Sequence, residues 1–144
     1  MRLRSVVALV VLLAVSFAAI TLTALEGNEV VVVRTHDAAG GTRDTRVWVA
    51  DQEGALWVEA ATPERDFYRD LLAQPAAELV RGQQTLHVIA HPEPGPAGHQ
   101  RIRALLAAKY GWADQWVALL QDTSRSVAVR FDPASPAEKE SAAP

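Results

Sequence analysis

The stretch that decides the fold runs from residue 45 to 60, Thr-Arg-Val-Trp-Val-Ala-Asp-Gln-Glu-Gly-Ala-Leu-Trp-Val-Glu-Ala. Thr45 to Asp51 alternates, with Val47 and Val49 on one face and Arg46, Trp48 and Ala50 on the other. Gln52, Glu53 and Gly54 read as a short hairpin loop, and Ala55 to Ala60 resumes with Leu56 and Val58 alternating against Trp57 and Glu59. This period of two, broken by a glycine-containing turn, is the pattern of two antiparallel strands. Pairing Asp51 with Ala55 sets Trp48 opposite Val58 and Val49 opposite Trp57. Cross-strand aromatic and β-branched pairs of that kind are worth about 0.2–1 kcal/mol each.

Working outward, Glu29 to Thr35 carries four consecutive valines, a β-branched run that predicts a strand buried on both faces. A polar, glycine-containing loop from His36 to Asp44 joins it to the hairpin. Downstream, Thr62 as N-cap, Pro63 in the first turn and the acids Glu64 and Asp66 predict a helix that runs to about Ala73 and stops before Pro75. Ala77 to Arg81, a turn at Gly82 and Gln84 to His91 form a second hairpin, after which Pro92, Pro94 and Pro96 break the chain. Ile102, Leu105, Leu106 and Tyr110 mark an amphipathic helix ended by Gly111; Trp116, Val117 and Leu120 mark a second, shorter one. Val127, Val129 and Phe131 alternate in a closing strand, Ser126 to Asp132. The expected fold is α+β and mainly β. A six-stranded, largely antiparallel barrel with helices outside removes the exposed edges that such strands would otherwise leave.

The flanks differ in kind. Ser5 to Leu25 is a run of 21 residues without a charge, preceded by Arg2 and Arg4, and all 17 acidic residues lie at or beyond Glu26. That run is long enough to cross a bilayer, for which about 20 apolar residues suffice. The competing reading is a signal peptide cleaved after Ala18, but the apolar run continues through Ile20, Leu22 and Leu25, beyond what a signal peptide requires. Arg2 and Arg4 favour an N-terminus inside and a domain outside the membrane. Pro133 to Pro144 reads as a disordered tail, which leaves Glu26 to Asp132 as the domain. Beyond the anchor the chain has 12 basic and 17 acidic residues, a charge of −5, so nucleic acid is not an expected partner. The absence of cysteine excludes a disulfide framework, a thiolate metal site and a cysteine nucleophile.

Four segments resemble the flavin- and deazaflavin-binding split barrels, the group that includes pyridoxamine phosphate oxidase-like proteins and deazaflavin-dependent nitroreductases. They are Arg34-Thr35 with the following Gly40-Gly41-Thr42-Arg43; the strand Thr45 to Val49 with its hairpin partner; Asp66-Phe67-Tyr68-Arg69-Asp70-Leu71-Leu72 before Pro75; and Lys109-Tyr110-Gly111-Trp112. The likeness covers about Val30 to Asp132. It implies a cofactor, FMN or deazaflavin (coenzyme F420), whose phosphate is cradled by Thr35, Gly41, Thr42 and Arg43, with Arg46 adding charge. Backbone donors, a hydroxyl and guanidinium forks suit phosphate oxygens. The ring would lie near Trp48, Ala60 and Ala61, closed over by Phe67, Tyr68 and Arg69. Such a protein would be a homodimer that transfers hydride to a small-molecule substrate, with the bilayer as a further partner through residues 5–25. Hydride transfer depends on placement of the ring, so no catalytic residue is assigned. The chain departs from the family at His36-Asp37-Ala38-Ala39, where the deazaflavin enzymes carry glycine and basic residues, and Asp37 and Asp44 add negative charge there. The alternative is a split barrel without cofactor, a binding or interaction module of the cell envelope.

Other chemistry-bearing residues carry plainer readings. His87 and His91 would stand roughly 13 Å apart on a strand, too far to share one metal ion. His36 beside Asp37 reads as a polar loop residue, and Asp122-Thr123-Ser124 as a turn. Trp57, Trp112 and Trp116 read as packing. Arg65 and Arg69, four apart on one helix, read as a solvated face with phosphate contact as the alternative.

Overall fold

A computed structural model describes residues 3–135. The first element is α1 (Leu3–Glu26), an uninterrupted helix long and apolar enough to cross a membrane. The strands β1 (Val30–His36), β2 (Thr42–Gln52) and β3 (Ala55–Ala60) follow, then α2 (Asp66–Ala73). A second hairpin, β4 (Ala76–Arg81) and β5 (Gln84–Glu93), precedes α3 (Pro96–Tyr110), α4 (Trp112–Leu120) and β6 (Val127–Pro133). The six strands close into a barrel in the order β1-β2-β3-β6-β5-β4, every pair antiparallel. The expected fold class is the one observed.

Several boundaries and one register differ from expectation. In the first hairpin Val49 faces Val58 and Ala50 faces Trp57, one residue away from the predicted pairing. The loop is two residues, not three: Glu53 (φ 53°) and Gly54 (φ 79°) both lie in the left-handed region. That is the geometry which matches a two-residue turn to the twist of its strands. Trp48 instead faces Val30 of β1. The four-valine strand is not buried on both faces. Val31 and Val33 point into the barrel, while Val30 and Val32 are half-buried outside. α2 begins at Asp66 rather than after Thr62, because Thr62 closes a preceding turn by accepting from the Arg65 amide at 3.2 Å. Pro92 does not end β5, which continues to Glu93 opposite Ala128. Pro133 belongs to β6, and the tail from residue 136 onward lies outside the described residues.

Two apolar cores result. The barrel interior is filled by Val31, Val33, Val49, Val58, Leu79, Val88, Val129 and Phe131, and one end is plugged by Phe67, Tyr68 and Leu71 of α2. The second core lies outside the barrel, where Ile102, Leu106 and Tyr110 of α3 cover Ala50, Trp57 and Ala128.

β2 leaves β1 after Trp48 and pairs with β3 from Val49 onward. At this split the Tyr110 hydroxyl is inserted. It accepts from the Val49 amide at 3.2 Å and reaches the carbonyl oxygens of Val49 at 2.7 Å and Glu29 at 2.9 Å. Burial pushes the Tyr110 phenol above its ordinary pKa, which keeps it a donor. Beside it, Arg81 donates to Glu29 and to Asp51 (2.6 Å), and Lys109 bridges the same two carboxylates.

Tyr110→Phe keeps the ring and removes the group that satisfies the split; urea denaturation of the full chain in detergent should show a loss of about 1–3 kcal/mol. Arg81→Met tests the ion cluster. Hydrogen bonds from Arg81 hold the carboxyls of Glu29 and Asp51 below their ordinary pKa values. Folded-state pKa values that are lowered stabilise above the unfolded values and cease to do so as pH falls through the folded ones. The variant should therefore lose about 1 kcal/mol at neutral pH, solvent screening keeping it small, and the gap to the native chain should shrink below about pH 4.

Candidate cofactor site

Two places emerge for the residues expected to hold a cofactor, roughly 10 Å apart along β2 at ~3.3 Å per residue. The first is the β1–β2 loop. Asp37 turns its carboxylate back into this loop and accepts from the amides of Ala39 (2.9 Å) and Gly41 (2.7 Å). Gly41 leaves room for that contact: a Cβ there would lie 2.7 Å from Asp37 Oδ2 and push the carboxylate aside. Thr35, fully buried, donates its hydroxyl to Asp70 Oδ2 at 2.8 Å, and Arg43 Nε donates to the same oxygen at 2.9 Å. Arg43 Nη1 also faces Asp66 at 3.3 Å. Arg34 holds Asp44 through two hydrogen bonds of 2.8 and 2.9 Å. Thr35, Gly41 and Arg43 are thus brought together, but their donors already serve Asp37, Asp66 and Asp70. A phosphate at this loop would sit beside the carboxylates of Asp37, Asp66 and Asp70. Thr42 and Arg69 are exposed nearby, while Ala60 and Tyr68 are buried in the barrel core.

The second place is a cavity of about 390 Å³ on the outside of the barrel. Arg46, Trp48, Ala61 and Phe67, all expected near the ring or its charge, line it. Trp48 stacks on Tyr110 at 4.7 Å between ring centroids, and Lys109 lies over the Tyr110 ring at 5.5 Å. Arg46 is largely exposed and lies 3.7 Å from Glu26, outside hydrogen-bond distance. Arg65 lines the same cavity. Glu59 also borders it, but its charge is met by Arg103 at 3.0 Å, which in turn grips the buried Asp114 at 2.6 Å. Small-molecule sites are usually clefts of about 300–1,000 Å³ with apolar walls and a few placed polar groups. The cavity brings together the Trp48 indole and two guanidinium groups, Arg46 and Arg65, with Glu26 and Glu59 at its border.

Leu25, Glu26, Val30, Thr45, Val47, Leu106, Val117 and Gln121 complete the walls. None of these reads as a site residue in the sequence, where Leu25, Val30, Leu106 and Val117 mark only the apolar run, a strand and two helices, because the end of α1 and the face of α4 meet β2 only in the folded chain. Arg65 was visible only as half of an i, i+4 pair.

His87 lies 3.7 Å from Glu78 and His91 lies 3.3 Å from Asp132, on separate partners. No group of three or more histidine, aspartate or glutamate side chains suited to a metal occurs among the described residues. His36 lies next to the loop with its Nδ1 buried and without a hydrogen bond.

No family model and no curated protein matches the sequence. Solved structures match it by shape. A Listeria innocua protein assigned as a pyridoxamine 5'-phosphate oxidase superposes with a TM-score of 0.56 at 13% identity, over 79% of this chain and 90% of that one. An F420 reductase gives 0.54 at 16% identity, over 74% and 87%. HutZ, a haem storage protein from Vibrio cholerae, gives 0.58 at 14% identity, over 76% and 84%. The fold is therefore the split barrel shared with flavin- and deazaflavin-binding proteins.

The Asp70 network yields its own test. Thr35→Val and Asp70→Asn should each cost about 1–3 kcal/mol by urea denaturation. The double variant should lose less than their sum by at least about 0.5 kcal/mol, as groups in direct contact do.

Proposed function

We propose that the protein is a membrane-anchored split-barrel oxidoreductase that binds a flavin-type cofactor, FMN or deazaflavin, and transfers hydride to a small organic substrate. The observation that carries this reading is the cavity beside Trp48, with its stacked indole wall and the two arginines Arg46 and Arg65. When bound, the ring supplies the hydride chemistry. The chain supplies placement. Trp48, fixed by Tyr110, gives the ring a flat apolar wall; Ala61 leaves it room; Phe67 bounds its edge. Arg46 and Arg65 attract the phosphate end, and Leu25 and Val117 keep water from the ring. Thr35, Gly41, Arg43, Ala60 and Tyr68 shape the barrel end behind the site, with Thr42 and Arg69 exposed at its rim. A homodimer belongs to this reading.

Anchoring through residues 5–25 is supported by the way α1 joins the domain. Phe17 packs on Trp116 at 5.5 Å between ring centroids, Trp116 Nε1 donates to Thr21 at 3.1 Å, and Ala24 is fully buried. Cleavage after Ala18 would remove Phe17 from that contact. Arg2 and Arg4 favour an N-terminus inside and the domain outside. Cytosolic reduced cofactors would not reach such a domain freely, which favours a tightly held group.

A second reading is favoured by the carboxylates of Asp37, Asp66 and Asp70, which occupy the donors a family phosphate would use. It is a cofactor-free module of the cell envelope that takes a different ligand in the same cavity.

The full chain, purified in detergent from a host that makes both flavin and deazaflavin, should carry visible absorption. Arg46→Ala and Arg65→Ala should each weaken binding about tenfold, the ~1.4 kcal/mol expected of a charge-assisted contact. A colourless protein whose melting temperature ignores added FMN and F420 would sink the oxidoreductase reading in favour of the second.

A further inference from the structure

The cavity's neighbour α4 has an apolar face that is covered at Trp116, which packs on α1, and otherwise left bare. Trp112, Trp116, Leu119 and Leu120 fall at i, i+4, i+7 and i+8, one stripe of the helix. Trp112 is 56%, Leu119 80% and Leu120 47% exposed. The one charged side chain of α4, Asp114, points the other way and is bound by Arg103. We infer that α4 is a second membrane element, lying in the outer part of the bilayer with this stripe against lipid. The inference rests on α1 being a membrane span.

The argument is one of length. Ser5–Glu26 is 22 residues, about 33 Å of helix, against ~30 Å of hydrocarbon. Trp116 contacts α1 at Phe17 and Thr21, which lie roughly 13 Å and 7 Å below Glu26 along the axis. To keep these contacts in water, everything from Phe17 onward would have to leave the bilayer. Ser5 to Ser16 would remain, about 18 Å, too short to cross. If α1 spans, α4 is drawn in beside it.

The polar groups at the junction are provided for. The Trp116 indole N–H goes to Thr21, and the Thr21 hydroxyl goes back to the Phe17 carbonyl at 2.9 Å, so neither is left bare in a medium that offers no partners. Just past the helix, Asp122 and Arg125 return the chain to water, the latter paired with Glu64.

The chain has no cysteine, so single spin labels can be placed without other changes. Leu12→Cys reports the span, Leu119→Cys the α4 stripe, and Ala38→Cys the far end of β1 in water. All three positions are exposed, so the replacements leave the packing intact. The full chain in phosphatidylcholine–phosphatidylglycerol vesicles is then read by the relative access of oxygen and a water-soluble nickel chelate. The expected result is an oxygen-favoured ratio at residue 119 close to that at residue 12 and well above that at residue 38. A lipid-like residue 12 with residue 119 open to the chelate overturns the inference and leaves the span standing. So does residue 119 closed to both reagents, the mark of a second copy covering α4. A water-exposed residue 12 removes the span itself, and the inference falls with it.

Discussion

The hydroxyl of Tyr110 sits where the barrel has to come apart. β2 pairs with β1 as far as Trp48 and with β3 from Val49 onward, so it changes partner between these two residues. The change frees backbone groups in a place that excludes water, and a buried, unpaired backbone group costs about as much as a lost hydrogen bond. One phenol answers for Val49 and Glu29 together. Because Tyr110 is the last residue of α3, this bond also fixes the helix on the barrel, and its ring backs Trp48. The cavity wall is therefore set by a group whose first task is structural. That explains how a candidate site can exist with no catalytic dyad to define it.

At the other end of β1 the controlling group is Asp70. A carboxylate with so little exposure must be paired and hydrogen-bonded. Thr35 and Arg43 meet that need and so tie α2 to the first two strands. What stabilises the end of the barrel removes those donors from ligand binding. Asp37 does the same to the loop amides. In the cavity, by contrast, Arg46 has its nearest acid beyond hydrogen-bond distance, and Arg65 lines the same wall.

The barrel was legible because its strands alternate and its turns carry glycine, signals that tertiary contacts rarely override. The hairpin register was legible too. Residues directly opposite one another on neighbouring strands share a face. Val49 and Val58 both point inward, so a pairing of Val49 with the outward Trp57 contradicts the pleat. The error came from counting Gln52 as loop, when a two-residue turn of left-handed residues suffices. The site was half legible. A glycine loop with threonine and arginine looks like a phosphate cradle in one dimension. Whether its donors are free is decided by Asp70, 27 residues beyond Arg43 in the chain. No local pattern reports that. The cavity was missed for the same reason, since its walls come from α1, β1, β2, β3, α2, α3 and α4.

Those walls have a consequence for the anchor. Leu25 and Glu26 end α1, and Val117 and Gln121 belong to α4 and its C-cap, yet all four line the cavity beside Trp48. The helix that would hold the protein in a bilayer is thus part of the container that would hold its ligand. Only Asn28 and two neighbours separate Glu26 from β1, too short a link to let the helix swing freely, and Asn28 itself bonds back to the Ala24 carbonyl. Leu25 and Glu26 therefore stand in the same wall as Arg46, with the Glu26 carboxylate 3.7 Å from its guanidinium. Mean composition conceals this, because it treats the apolar run and the acidic domain as separate parts. In the folded chain they share a wall.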